Sequence, residues 1–390
     1  MSRVVLAMSG GVDSSVAAWL LRQAGHEVIG IFMRHGGEPL ESCTATASCA
    51  TTSSPPSRSA ASGQPPELQA ISPAPKQGCC TAADAADARR VADRLEIPLY
   101  ALDFEQEFGR IVDYFVSEYA AGRTPNPCVM CNNWLKFGRL FDYAASAGAE
   151  YVATGHHARL RALPDGRMGL YRAADAGKDQ SYVLFGIAAE ALERLLFPVG
   201  EYAKSEIRAL ASRLGLRVAD KPDSQEICFV PQGDYTAVVR ARRPDTLRPG
   251  EIRTADGRVL GRHDGIAGFT IGQRRGLGVA AGEPLYVTRL DVLSSTVTLG
   301  PRAALLAGGL VADDVNWHTD PPAVGAALRA EVKIRHMHAP AAATLQRAAD
   351  GRVTVQFDAP QSAVTPGQAA VFYDAEGVVI GGGWIAAAVP

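Results

Sequence analysis

The chain of 390 residues is long enough for two or three domains, and 47% hydrophobic with 21% charged residues marks it as globular rather than disordered. A formal charge of −2 neither implies nor excludes a nucleic-acid partner, because a binding face needs only a local basic patch. No apolar run approaches the roughly 18 residues of a membrane span, and the opening MSRVVLAMSGG is too short in apolar residues for a signal peptide, so no membrane contact and a cytosolic location are expected.

In chain order, VVLAM (4–8) reads as a buried strand and SSVAAWLLRQAG (14–25) as a helix with Gly25 just past its end. HEVIGIFM (26–33) reads as a second strand. From 36 to 78 the chain is rich in Ser, Ala, Thr and Pro and has no aromatic residue, so a disordered insertion is expected there; Cys43 and Cys49 fall within it. The tandem Cys79-Cys80 reads as structural. TAADAADARRVADRL (81–95) predicts a helix capped by Thr81, IPLYALDF a third strand, 104–121 and 133–148 further helices, and EYVATG (150–155) a fourth strand. Strands alternating with helices at this spacing predict an α/β fold with a doubly wound parallel sheet, whose ligands bind at the carboxyl ends of the strands.

An amphipathic helix is expected around 204–214. Beyond 284, PLYVTRLDV, TVTLG, LRAEVKIRH, RVTVQF and AAVFYD predict a small all-β domain, sandwich or barrel, between which periodicity does not decide. The expected division is 1–203, 204–283 and 284–390.

The loop between the first strand and helix carries the first chemistry. Gly10 and Gly11 free backbone amides at a helix start, which makes an anion cradle suited to phosphate. No G-x-x-x-x-G-K-[ST] occurs, so the loop lacks the phosphate-gripping lysine of the standard P-loop, while Asp13 could help hold Mg2+. The bland reading is a plain helix start with Asp13 as a cap.

Three of the seven cysteines carry the second. In GRTPNPCVMCNNWLKFG two prolines stiffen a loop that delivers Cys128 and Cys131 to a helix start, where a thiolate is favoured. Cys228 stands alone in KPDSQEICFVPQGDY. Redox or sulfur chemistry, a zinc site completed by His156 or His157, and inert buried thiols all remain open on the residues alone.

SGGVDS resembles the loop of the PP-loop ATP pyrophosphatases, which release pyrophosphate and leave AMP on a substrate oxygen. Together with TPNPCVMCN, ATGHHAR, GKDQSYVL, LFPVGEY, DSQEICFV, IGQRRGLG and TPGQAAVFY, in that order, the chain outside the insertion resembles the tRNA-specific 2-thiouridylases (MnmA type). The resemblance implies an adenine nucleotide alpha hydrolase-like catalytic domain over 1–203, a central tRNA-binding domain and a C-terminal barrel-like domain. It implies adenylation of the C2 oxygen of a wobble uridine, flipped out of the anticodon stack, and its replacement by sulfur. The tRNA would be of the glutamate, lysine or glutamine type, with sulfur supplied by a cysteine desulfurase or a sulfur relay.

By motif position the resemblance implies that Cys228 carries the persulfide and that Cys131 is the nucleophile that frees the sulfur and pairs with Cys228 in a disulfide. ATP would contact Ala7, Met8, Ser9, Gly10, Gly11, Val12, Asp13, Ser14, Met33 and Gly155. The target base would meet Asn126, Pro127 and Cys128; His156, Lys178, Asp179, Gln180, Arg335, His336 and Gln368 would touch the tRNA. Some members have an aspartate where this chain, like other members, has Cys128, so the resemblance does not carry an aspartate-based proton step over to this chain. Cys128, Cys131 and Cys228 are also candidate ligands for a [4Fe–4S] cluster. Competing functional readings are a PP-loop ligase or amidotransferase acting on a small molecule, which would not need Cys131 and Cys228, and a non-catalytic tRNA-binding protein.

Overall fold

The computed structural model describes residues 1–34, 81–223, 227–230 and 233–390. Cys43, Cys49, Cys79, Cys80 and the 36–78 insertion lie outside the described residues.

The first unit contains β1 (Arg3–Ala7), α1 (Val12–Gln23), β2 (Glu27–Arg34), α2 (Ala82–Leu95), β3 (Leu99–Asp103), α3 (Glu105–Ala120), α4 (Pro127–Met130), α5 (Leu140–Ser146) and β4 (Tyr151–Ala153). A hairpin of β5 (Ala158–Ala162) and β6 (Met168–Arg172), the short β7 (Leu195–Leu196) and α6 (Lys204–Arg213) follow. The sheet has order β3-β2-β1-β4-β7 and every pair in it is parallel. Strand order therefore reverses at β1, and the crevice where ligands bind such sheets opens between the carboxyl ends of β1 and β4.

β1 shows why the strand reads as a continuous apolar run. Val4 and Leu6 enter the core under α1 and α2, whereas Val5 and Ala7 enter the core on the opposite face. Helix α2 begins as expected at Thr81: its hydroxyl accepts from the Asp84 amide at 3.1 Å while the Asp84 carboxylate accepts from the Thr81 amide at 3.1 Å, a reciprocal capping box. The expected helix over 133–148 in fact starts at Pro127 and runs to Ser146, wound in the wider π form across Cys131–Arg139. Such winding is uncommon and frequent at functional sites.

The middle unit contains α7 (Tyr235–Arg242), β8 (Gly250–Thr254), β9 (Val259–His263), β10 (Tyr286–Asp291) and β11 (Thr296–Gly300), with sheet order β10-β11-β8-β9. The last unit is a closed six-stranded barrel of β12 (Leu306–Trp317), β13 (Ala327–Lys333), β14 (Ala341–Arg347), β15 (Val353–Ser362), β16 (Ala369–Tyr373) and β17 (Val379–Val389). Three elements sit apart from their sequence assignment. β10 and β11, read with the C-terminal strands, hydrogen-bond into the middle sheet through the parallel β11·β8 pair. α6, read with the middle segment, buries Ile207 and Ala211 in the core under α1. Both are long-range pairings that strand or helix periodicity does not encode.

β16 joins the barrel to the first unit. Ala370 and Phe372 point into the barrel core, while Ala369, Val371 and Tyr373 pack on the core beneath the parallel sheet. Among the described residues no helix is long and apolar enough to cross a membrane.

Candidate active site at the sheet switch point and the cysteine turn

The loop after β1 reaches the crevice with Gly10 at φ +70°, a left-handed conformation suited to glycine. A Cβ there would stand 2.1 Å from the backbone carbonyl oxygen of Asp84 at the start of α2, so the close approach also demands it. Gly11 is the N-cap of α1 and supplies no side-chain cap, which leaves the first-turn amides facing the crevice. Ser14 braces the turn: its hydroxyl accepts from the Ser9 amide at 3.2 Å and lies 3.3 Å from the Ser9 hydroxyl. An uncapped N-terminus behind a glycine turn at the switch point fits a phosphate chain. Gly155, leaving β4, packs on this turn so tightly that a Cβ would lie 2.6 Å from the Ser14 amide nitrogen.

Asp13 is engaged inside the protein. Lys204 Nζ donates to its two oxygens at 2.8 and 2.6 Å, and His157 Nε2 donates to Oδ1 at 3.0 Å. Burial by itself would raise the Asp13 carboxyl, but the His157 and Lys204 hydrogen bonds outweigh it and hold it below the usual carboxylate range. Lys204 also pairs with Asp223 at 2.9 Å, and Lys178 donates to Asp223 at 2.9 Å. Burial opposes ionisation of Asp223 too; the Lys178 and Lys204 hydrogen bonds override it and bring its pKa down to about 2. The carboxylate expected to help hold Mg2+ is thus the counter-ion of Lys204 and accepts from His157.

Lys221, two residues before Asp223, ties the loop to α2. Its Nζ donates to the Gly10 carbonyl at 2.9 Å, to Asp84 at 2.6 Å and to Asp87 at 2.7 Å. Burial would lower its pKa, yet these two carboxylates raise it. Lys221 to Asp223 thereby anchor at the nucleotide loop the same stretch that continues to Cys228.

The second part of the site is the turn after α3. Pro127 occupies the first turn of α4, and the Asn126 side-chain oxygen caps it by accepting from the Val129 amide at 3.4 Å. Cys128 is exposed, whereas Cys131 and Cys228 are half-buried. Cys131 and Cys228 pack against one apolar cluster built on Phe108, Phe115, Leu135 and Val230. Met33 and Leu102, from the carboxyl ends of β2 and β3, pack on this cluster and on the core beneath the sheet. The nucleotide end of the sheet and the cysteine cluster share these two side chains.

No group of three or more His, Cys, Asp or Glu arranged to hold a metal ion is present among the described residues, so Cys128, Cys131 and Cys228 are not brought together as a cluster ligand set. Cys128 faces outward on the first helical turn while the other two turn toward the apolar cluster.

The residues expected to touch tRNA separate into three places. Beside the nucleotide loop, Lys178 holds Asp223, Gln180 Oε1 accepts from the His157 amide at 2.9 Å, and buried Asp179 accepts from the Ala173 and Ser181 amides, both at 3.1 Å. Buried His156 lies between Lys136 Nζ at 3.4 Å and the Thr154 hydroxyl at 2.6 Å. Since Lys136 only donates, Nε2 accepts and Nδ1 carries the proton. On the barrel, Arg335 donates to the Ala363 carbonyl and the Thr365 hydroxyl at 2.6 and 2.8 Å, His336 is exposed, and Gln368 reaches the cysteine turn.

Lys204, Lys221 and Asp223 escaped the sequence reading. A signal for Lys204 existed: a lysine at the first position of a helix opposes the helix dipole and calls for a carboxylate partner from elsewhere in the fold.

A family model described as the tRNA methyl transferase HUP domain matches residues 2–62 and 67–232. The tRNA methyl transferase PRC-barrel domain matches 239–301, and the aminomethyltransferase beta-barrel domain matches 307–385. The tRNA-specific 2-thiouridylase MnmA of Rhodopirellula baltica is 50% identical over 400 residues, covering 100% of this chain and 97% of the relative. The proteins of the same name from Geotalea uraniireducens and Xanthobacter autotrophicus are 47% and 46% identical, covering 99% and 98% of this chain and 96% and 92% of theirs. With matching models along nearly the whole chain and relatives of near-equal length, the chain belongs to the tRNA-specific 2-thiouridylase MnmA family.

Proposed function

We propose that the chain is an ATP-dependent tRNA sulfurtransferase that converts a wobble uridine to 2-thiouridine. The observation that carries the reading is the junction at Met33 and Leu102, where a phosphate-shaped loop at the sheet switch point meets a cluster holding both Cys131 and Cys228. A PP-loop ligase acting on a small molecule has no use for that second half.

The chemistry follows from the parts. The uracil C2 oxygen attacks the α-phosphorus of ATP, and pyrophosphate leaves while the amides of the Gly10-Gly11 turn hold its charge. The adenylated oxygen is now a leaving group. The terminal sulfur of a persulfide on Cys228 attacks C2 and AMP departs. The Cys131 thiolate then attacks Sγ of Cys228, which leaves the sulfur on C2 and joins the two cysteines in a disulfide. An external thiol reductant, available in a cytosolic setting, restores both. Mg2+ accompanies ATP by charge, without Asp13 as an open ligand, because Lys204 and His157 occupy that carboxylate. Asn126, Pro127 and Cys128 form the rim that meets the flipped base.

Nucleoside mass spectrometry tests this: unmodified glutamate tRNA is incubated with the protein, Mg-ATP, a persulfide sulfur donor (a cysteine desulfurase with cysteine) and a thiol reductant, beside Cys131→Ser and Cys228→Ser. Oxygen-to-sulfur exchange at the wobble uridine in the wild type only is the expected result. AMP formation with unchanged tRNA overturns the substrate assignment while keeping the nucleotide loop.

A further inference from the structure

The Thr124 to Pro127 turn cannot hydrogen-bond to itself as ordinary loops do, because two of its four residues are prolines without an N–H. Two amides and two carbonyls of the turn are satisfied from outside it. The Thr124 amide donates to the Pro366 carbonyl at 2.9 Å, and the Asn126 amide donates to the Tyr114 hydroxyl at 3.5 Å. The carbonyls of Thr124 and Pro125 both accept from one atom, Gln368 Nε2, at 3.1 and 3.0 Å. A primary amide nitrogen has two N–H groups, and here there are two acceptors.

Gln368 is itself held rigidly. It immediately precedes β16, its amide donates to the Thr365 carbonyl at 3.2 Å, and its carbonyl accepts from the Ile385 amide at 2.8 Å. Gly367 beside it has φ +88°, and a Cβ there would lie 2.8 Å from the Thr124 carbonyl oxygen. The barrel turn and the cysteine turn are therefore in backbone contact.

Resting on the reading above, we propose that Gln368 is a positioning residue for the nucleophile: through the Thr124 and Pro125 carbonyls it sets the turn that carries Asn126, Cys128 and Cys131. This differs from a tRNA contact. A contact residue alters how tightly tRNA binds; a positioning residue alters how fast bound tRNA reacts. A barrel that shifts when tRNA docks would move the cysteine turn with it.

The variants are Gln368→Glu, of the same shape but without donors, and Gln368→Met, of similar length and neutral; either one that retains the wild-type melting midpoint is used. Three readouts are taken: tRNA affinity by fluorescence anisotropy, single-turnover thiolation at saturating tRNA, and the pH profile of iodoacetamide alkylation at Cys128, Cys131 and Cys228 by peptide mass spectrometry. Expected are a roughly 10- to 100-fold slower reaction, tRNA affinity within about two-fold, and an altered profile at Cys128 and Cys131 with Cys228 unmoved. A weakened tRNA affinity with an unchanged rate overturns the proposal, as does a wild-type alkylation profile. If the wild-type protein thiolates no tRNA, the functional reading fails separately, and the alkylation profile alone then decides the role of Gln368.

Discussion

The nucleotide loop and the cysteine turn are both short connections ahead of a helix, yet opposite forces hold them. The loop after β1 is surrounded by charge: Lys204 links Asp13 to Asp223, His157 donates to Asp13, and Lys221 joins the Gly10 carbonyl to Asp84 and Asp87. The cysteine turn is held by neutral hydrogen bonds from the barrel and by an apolar cluster beneath it. The difference suits the ligands proposed for each. A polyanion needs fixed positive partners, whereas sulfur transfer needs thiols beside apolar walls that exclude water.

Lys204→Met tests this contrast most severely. It strands Asp13 and Asp223 without their shared cation, and a loss of about 3 kcal/mol in unfolding free energy is expected, with weaker ATP binding by calorimetry. Cys128 alkylation should keep its wild-type rate; a change there would break the separation between the two regions.

Acid should act on the charged region next. The folded-state pKa of Asp223 near 2 lies below the unfolded carboxylate value of about 3.9. Its contribution is therefore complete above about pH 4 and is lost as pH falls through about 2. Acid unfolding followed by circular dichroism should show a shallower limb for Asp223→Asn, by about 2 kcal/mol across that window.

The smallest effect belongs to His156. Burial, then the charges of Lys136 and His157, hold its pKa well below the ordinary value, so the unfolded chain takes the proton first. Stability should decline as pH drops below about 6.5, by about 1 kcal/mol near pH 5.5. His156→Gln should flatten that slope in urea titrations; an unchanged slope would mean that another group titrates there.

Much of the first unit was legible because its signals are local. The Thr81 cap, the Gly10-Gly11 turn and the double-sided burial of β1 each follow from a few neighbouring residues. The start of the cysteine helix at Pro127 was less so, since the Asn126 cap and the π winding across Cys131–Arg139 depend on what packs around them. Closure of the barrel and the parallel pairing of β11 with β8 were not legible, because alternation identifies strands but not their partners.

The sequence by itself determined the strands β1 to β4 and the helices α1 to α3, the anion-binding turn at Gly10-Gly11, and the family through its ordered motifs. Tertiary structure alone decided that Asp13 belongs to Lys204 and His157, that Cys131 and Cys228 share one apolar cluster, and that Gln368 braces the turn before Cys128. These contacts join residues 191, 144, 97 and 244 positions apart, and such pairs are chosen by which surfaces the packed cores bring together, not by any local preference of the chain.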